Sequence, residues 1–117
     1  MKTFSPNPAA FASLVEPAAD SIVSRVLFRN GGCTITGFAF AEGEGLSEHA
    51  AAQDAILLIL EGELSITLGT ENHRMSAGDL LHIPAGRSHT LHPGPAFQML
   101  LILARDATPG TEDGASA

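Results

Sequence analysis

The sequence predicts an all-β, single-domain antiparallel barrel, and three observations carry that expectation. Short apolar or alternating runs recur between clusters of Gly, Pro and Asn, at the short regular spacing of sandwiches and barrels. Residues 63–68 alternate polar and apolar side chains at period two, as a half-buried strand does. The 117 residues leave room for one domain with one core, and a hydrophobic share of 44% against 16% charged residues describes a folded body rather than a disordered one.

Residues 1–21 are expected to form an N-terminal strap or short helix. Within them only residues 8–15 have an apolar spacing suited to a helix, with Phe11, Leu14 and Val15 on one side. Residues 22–29 read as a strand, and residues 33–41 as its antiparallel partner. Asn30, Gly31 and Gly32 close the hairpin between them, because all three tolerate positive φ. Residues 55–61 are apolar and short enough for a strand. Glu61, Gly62 and Glu63 give a turn, and the next strand should direct Leu64, Ile66 and Leu68 to the core. Further strands are expected at 80–83, 88–92 and 97–103, so the barrel spans residues 22–105. The tail, 106–117, is rich in Gly, Ala, Thr and acid, buries too little to order itself and is expected to be mobile.

The formal net charge of −7 disfavours nucleic acid and anionic membrane surfaces, both of which select for basic patches. A small molecule or a second copy of the chain is the expected partner. Cys33 is the single cysteine, so no intrachain disulfide can form and nothing calls for an oxidising compartment. The first twenty residues hold one Lys and prolines at 6, 8 and 17, without the apolar stretch of a signal peptide. The apolar runs at 55–60 and 99–104 are too short to span a bilayer. A cytoplasmic location is the expectation.

Two segments carry the chemistry. The first runs from Gly43 through Leu46, Ser47, Glu48 and His49 to Gly62. The second runs from Gly78 through Leu80, His82, Pro84 and Gly86 to His89. Pro84 lacks an N–H for a ladder and should end its strand, while Gly86 lets the chain turn back so that His89 enters the barrel. The joint spacing of Gly43, His49, Gly62, Gly78, Pro84, Gly86 and His89 resembles the two motifs of the cupins, and within that group the small bacterial single-domain barrels. The resemblance covers residues 22–105 and implies a jelly-roll, or double-stranded β-helix, barrel around a pocket. It also implies a metal site of three His and one Glu, of which His49 and His89 are present. Ala51 stands in place of the second His and Ala55 in place of the Glu.

Two imidazoles hold a divalent ion weakly unless a third donor joins them. On a continuous strand Gln53 would share a face with residues 51 and 55, and its amide oxygen would complete a tentative set of His49, His89 and Gln53 around Fe, Mn, Ni, Zn or Cu. Asp54 would do so only if a bulge before Ala55 swung it inward, giving two His and one carboxylate. Two functions stay open. One is a small-molecule binding protein whose pocket is lined by His49, Ala51, Gln53, Ala55 and His89. The other is a metal-dependent oxygenase or isomerase using the same histidines.

The remaining candidates have plainer readings. His82 should point outward if Ile83 points in, His92 is out of phase with His89, and His73 is read as a loop residue. Ser88 beside His89 and near Asp79 suggests a hydrolytic triad, but a Ser next to a His on a strand points the other way and no nucleophile elbow is present. Cys33 is read as a small buried hydrophobe. Residues 97–103 are apolar on both alternating faces, which points to a homodimer whose partner covers outward positions such as Leu101 or Ile102.

Overall fold

The computed structural model describes residues 8–105. Eight strands follow one helical turn, α1 (Phe11–Leu14). They are β1 (Ile22–Arg29), β2 (Cys33–Phe40), β3 (Leu46–His49), β4 (Asp54–Leu68), β5 (Glu71–Ser76), β6 (Leu80–Ile83), β7 (His89–His92) and β8 (Phe97–Ala104). All pairings are antiparallel, and the sheet curls in the order β1-β2-β8-β4-β7-β3, with β5 and β6 also paired to β4. This is the expected all-β antiparallel barrel. The tail expected to be mobile lies outside the described residues.

The long strand β4 joins the two halves of the barrel. Its first part pairs with β8 and β6, its last part with β5 and β7. Residues 61–63 therefore do not reverse the chain as a turn. The register between β4 and β8 slips between Ile59 and Glu61, so that Leu60 is the extra residue of a bulge. The parity of the side chains explains why. Ala55, Leu57 and Ile59 are buried on one side of the bulge, and Leu64, Ile66 and Leu68 on the other. Strict alternation cannot bury an odd series and then an even one without an inserted residue. Gly62 holds φ at +84° just beyond the bulge, and a Cβ there would meet the Ala96 carbonyl oxygen and lie 2.9 Å from Phe97 Cα. Only glycine fits both the angle and the space.

The core lies between the two halves of the sheet. Ile59 and Ile66 are wholly buried, and Phe40 stacks on Phe97 with ring centroids 4.4 Å apart. Leu101 packs against this cluster, so it faces inward and only Ile102 of the two expected interface positions faces out. A second, smaller cluster forms on the outer surface of β1, β2 and β8. There Phe11, Leu14 and Val15 pack over Leu27, Ala39 and Leu100. The helix is thus a strap, and Arg25 pins it by donating to the Leu14 carbonyl at 2.9 Å. Gly37 makes room for it, since a Cβ there would sit 2.8 Å from side-chain atoms of both Phe11 and Val15.

Two local expectations are corrected. The β1–β2 hairpin is closed by Asn30, whose Oδ1 accepts from the N–H groups of Gly32 and Cys33 at 2.7 and 2.9 Å. None of residues 30–32 takes positive φ, because the side chain does the work of the turn. His73 belongs to β5 rather than to a loop. That strand carries one buried residue, Met75, so its sequence shows no alternation to read.

Candidate functional site

His49 ends β3 and His89 begins β7, and the two residues are partners across that antiparallel pairing. Cross-strand partners project to the same face, so the imidazoles meet with centroids 4.2 Å apart and planes inclined at 61°. His89 is buried and is the one buried polar residue of the core among the described residues, while His49 is exposed at the rim.

Each ring is oriented by its own strand. His49 Nδ1 lies 2.7 Å from the Ser47 carbonyl, and His89 Nδ1 lies 3.1 Å from the Arg87 carbonyl. A carbonyl oxygen only accepts, so both Nδ1 atoms donate, and in the neutral rings both Nε2 atoms keep a lone pair. The pair is therefore two acceptors side by side. Burial holds the His89 imidazole below its ordinary value, the Arg87 carbonyl opposes this, and repulsion from a charged His49 adds to the lowering. Neutral imidazole is the working form of His89.

Ser88, just before β7, is tied to Glu48 of β3 through a hydrogen bond from Ser88 Oγ to Glu48 Oε2 at 2.5 Å. This link holds the strands that carry the histidines. It also dissolves the triad suggested by Ser88, His89 and Asp79, because the Asp79 carboxylate accepts from the Ser76 N–H at 2.8 Å instead. Neither tie has a residue-level signal in the sequence, since both depend on which loops the fold brings together.

The other expected site residues lie in the loop between β3 and β4 and at the start of β4. Ala51 and Gln53 sit in the loop between β3 and β4, where Ala51 gives its carbonyl to the Gly86 N–H at 2.8 Å. Strand β4 starts only at Asp54, so the alternation that placed Gln53 beside residues 51 and 55 does not apply to it. Ala55 is 2% exposed in the core and opposes Ile83 and Leu103, so the position of a potential carboxylate is filled by apolar packing. No bulge precedes Ala55, and the register from Asp54 to Ile59 against β8 is unbroken. Asp54 accepts from His82 Nε2 and from the Ala85 N–H, both at 3.1 Å. The His82 hydrogen bond first, and the Ala85 N–H second, hold its carboxyl below the usual carboxylate range.

These facts test the metal centre that the barrel type implies. The two Nε2 lone pairs have the right tautomer for ligation. However, no group of three or more His, Cys, Asp or Glu side chains converges anywhere among the described residues. The pair therefore has no third His, Cys, Asp or Glu donor among the described residues. His92, on the opposite face of β7, lies with its Nε2 2.7 Å from Thr67 Oγ1 and plays no part in the pair. Neither the cavity lined by Ala39, Glu61 and Gln98 nor the one lined by Ser65, His73 and His92 includes His49 or His89.

Comparison with known proteins bears on the same region. The family profile of the cupin domain matches residues 38–102, which include both histidines. A conserved protein of unknown function from Streptococcus pyogenes is 29% identical, with a TM-score of 0.83 over 92% of this chain and 95% of its own. A cupin superfamily protein from Desulfitobacterium hafniense is 31% identical, with a TM-score of 0.81 over 91% of this chain and 97% of its own. An uncharacterized protein of Streptomyces coelicolor is 31% identical over 55 residues, 47% of this chain, and the match spans 52% of that relative's length.

Proposed function

The chain belongs to the cupin family, and we propose that it is a binding member of it, taking a small polar molecule at the barrel mouth through His49 and His89. The observation that carries this reading is the shared tautomer. Both Nδ1 protons are spent on the carbonyls of Ser47 and Arg87, so two Nε2 acceptors 4.2 Å apart by ring centroid await donors. A ligand that supplies hydroxyl or amine N–H groups satisfies both, whereas a carboxylate or phosphate supplies only acceptors and meets two lone pairs. The buried setting of His89 strengthens the preference, because its neutral form is favoured and a neutral imidazole gives an anion no charge to bind.

The test is a titration of the histidine ring resonances with polyols, amino alcohols and simple carboxylates. Polyols or amino alcohols should shift the His49 and His89 signals saturably, and His89→Ala should abolish the effect. A response to carboxylates alone would overturn the reading, because it requires a protonated pair.

A homodimer is part of the same proposal. On the outer face of β2, β8, β4 and β6, Ile35, Ile102 and Ile56 lie in one cross-strand row and Leu58 and Leu80 in the next. None of these belongs to a core cluster, and Leu80 is 66% exposed. The net charge of −7 leaves a second copy as a better cover than nucleic acid or an anionic membrane. No helix of the described residues is long and apolar enough to cross a membrane, and a lone, half-buried cysteine suits the reducing cytoplasm proposed as its location.

A further inference from the structure

A cavity of about 510 Å³ opens between residues 17–19, the adjoining ends of β2 and β8, and the middle of β4, and it shares no lining residue with the histidine pair. Its walls include Ala18, Ala39 and Ala96, and its polar groups include Glu42, Glu61 and Gln98. No Lys, Arg or His lines it. The volume is that of a site for a small organic molecule, roughly 300–1,000 Å³.

The β4 bulge is what brings Glu61 here. Ala39 pairs with Gln98, and Gln98 with Glu61, so the three form one row on the outer face of the sheet. Had Leu60 not been inserted, alternation from the buried Ile59 would turn Glu61 to the barrel interior. The bulge thus sets a carboxylate on an alanine-walled row. Among the described residues neither Glu61 nor Glu42 takes part in an ion pair.

The walls are held in place before any ligand arrives. Ala39 is 2% exposed, and Phe40 and Phe97 stack in the core at the same strand ends. The opposite wall continues the strap, which is fastened through buried Val15 and the bond from Arg25 to the Leu14 carbonyl. A preformed cleft with apolar sides and negative polar groups selects its ligand by shape and by sign.

We propose that this cavity is a second ligand site, for a small organic cation with an apolar body. An aryl- or alkylammonium seats its hydrocarbon against the alanine walls and turns its charge to Glu61 and Glu42. Exposed carboxylates contribute modestly, roughly two- to fivefold in affinity each. Hydrocarbon burial therefore supplies most of the binding, and the carboxylates supply the discrimination against anions of the same shape.

The experiment uses the ¹⁵N-labelled full chain titrated separately with benzylammonium, benzyl alcohol and benzoate. Benzylammonium should shift the amides of Ala18, Ala39, Ala96 and Gln98 saturably, benzyl alcohol more weakly, and benzoate not at all. Glu42→Gln with Glu61→Gln should weaken benzylammonium roughly four- to twenty-five-fold, the product of the two surface contributions. Ala18→Phe, at an exposed position, should fill the cleft and abolish the shifts while leaving the rest of the spectrum in place. Benzoate binding as well as benzylammonium at these amides would overturn the proposal. So would the absence of a saturable shift at millimolar benzylammonium, or binding undiminished by Ala18→Phe.

Discussion

His49 and His89 face each other across the β3–β7 pairing with ring centroids 4.2 Å apart, each donating its Nδ1 proton to the carbonyl two residues before it. The relationship is set by backbone register. A histidine at either position alone would have one carbonyl partner and no neighbour. Together they make a paired acceptor.

The first prediction concerns pH. The folded-state pKa of His89 is depressed below 6.5, so the unfolded chain takes up the proton first as pH falls. Stability should be unaffected by this group well above pH 6.5, should decline as pH drops through 6.5, and should stop declining once folded His89 is itself protonated. Urea midpoints measured from pH 8 downward in wild type and His89→Asn would check it, the wild type losing more over the window below 6.5. Asp54 acts in a separate window. Its lowered carboxyl stabilises the fold above 3.8, and that contribution is lost only at more acid pH.

Gly62→Ala tests the bulge. The added methyl meets the Ala96 carbonyl and Phe97 at a residue whose φ is +84°, and backbone strain of this kind costs about 1–3 kcal/mol before any clash is counted. Thermal unfolding should shift to lower temperature accordingly. An unchanged midpoint would mean that β4 does not bulge there.

Ala51→His with Ala55→Glu tests whether these two positions converge on the histidine pair. Ala55 lies between Ile83 and Leu103, so a carboxylate there is buried without a partner and should destabilise the apo protein by about 2 kcal/mol or more. Added Zn²⁺ or Ni²⁺ should restore the loss, making the melting temperature of the double variant metal-dependent while that of wild type changes little. A metal-independent melt in the double variant would show that these positions do not converge on the histidine pair.

Association is tested by Ile102→Asp. Light scattering should give twice the chain mass for wild type at micromolar concentration and the chain mass for the variant, with the same far-UV spectrum. A monomeric wild type would contradict the proposed dimer. Leu101→Asp is not a control for this, because Leu101 packs into the core.

Much of the barrel was legible because alternation and burial agree. The β1–β2 hairpin and the inward series Leu64, Ile66, Leu68 follow from period two, and the joint glycine and histidine spacing points to the family. Three features were not legible, each for a physical reason. Strand β5 buries only Met75, so a pattern of burial had nothing to mark. The parity change in β4 produces the same sequence signal as a turn, a glycine between two acids, although the chain runs straight on through a bulge. Alternation sets Gln53 beside residues 51 and 55 only on a strand through 51–55, whereas the strand begins at Asp54 and the Ala51 carbonyl is bonded to the Gly86 N–H in the loop. Register decides which histidines meet, and spacing alone identified that pair but not the tautomers that the carbonyls impose.

The paired-acceptor site is tested most directly by the protonation of the four ring nitrogens of His49 and His89, read from long-range ¹H–¹⁵N correlations at pH 8. Both rings should carry the proton on Nδ1, with Nε2 at the shift of an unprotonated acceptor. A proton on Nε2 of either ring would contradict the account, because that ring would then be a donor and the mouth of the barrel would not present two lone pairs to a ligand.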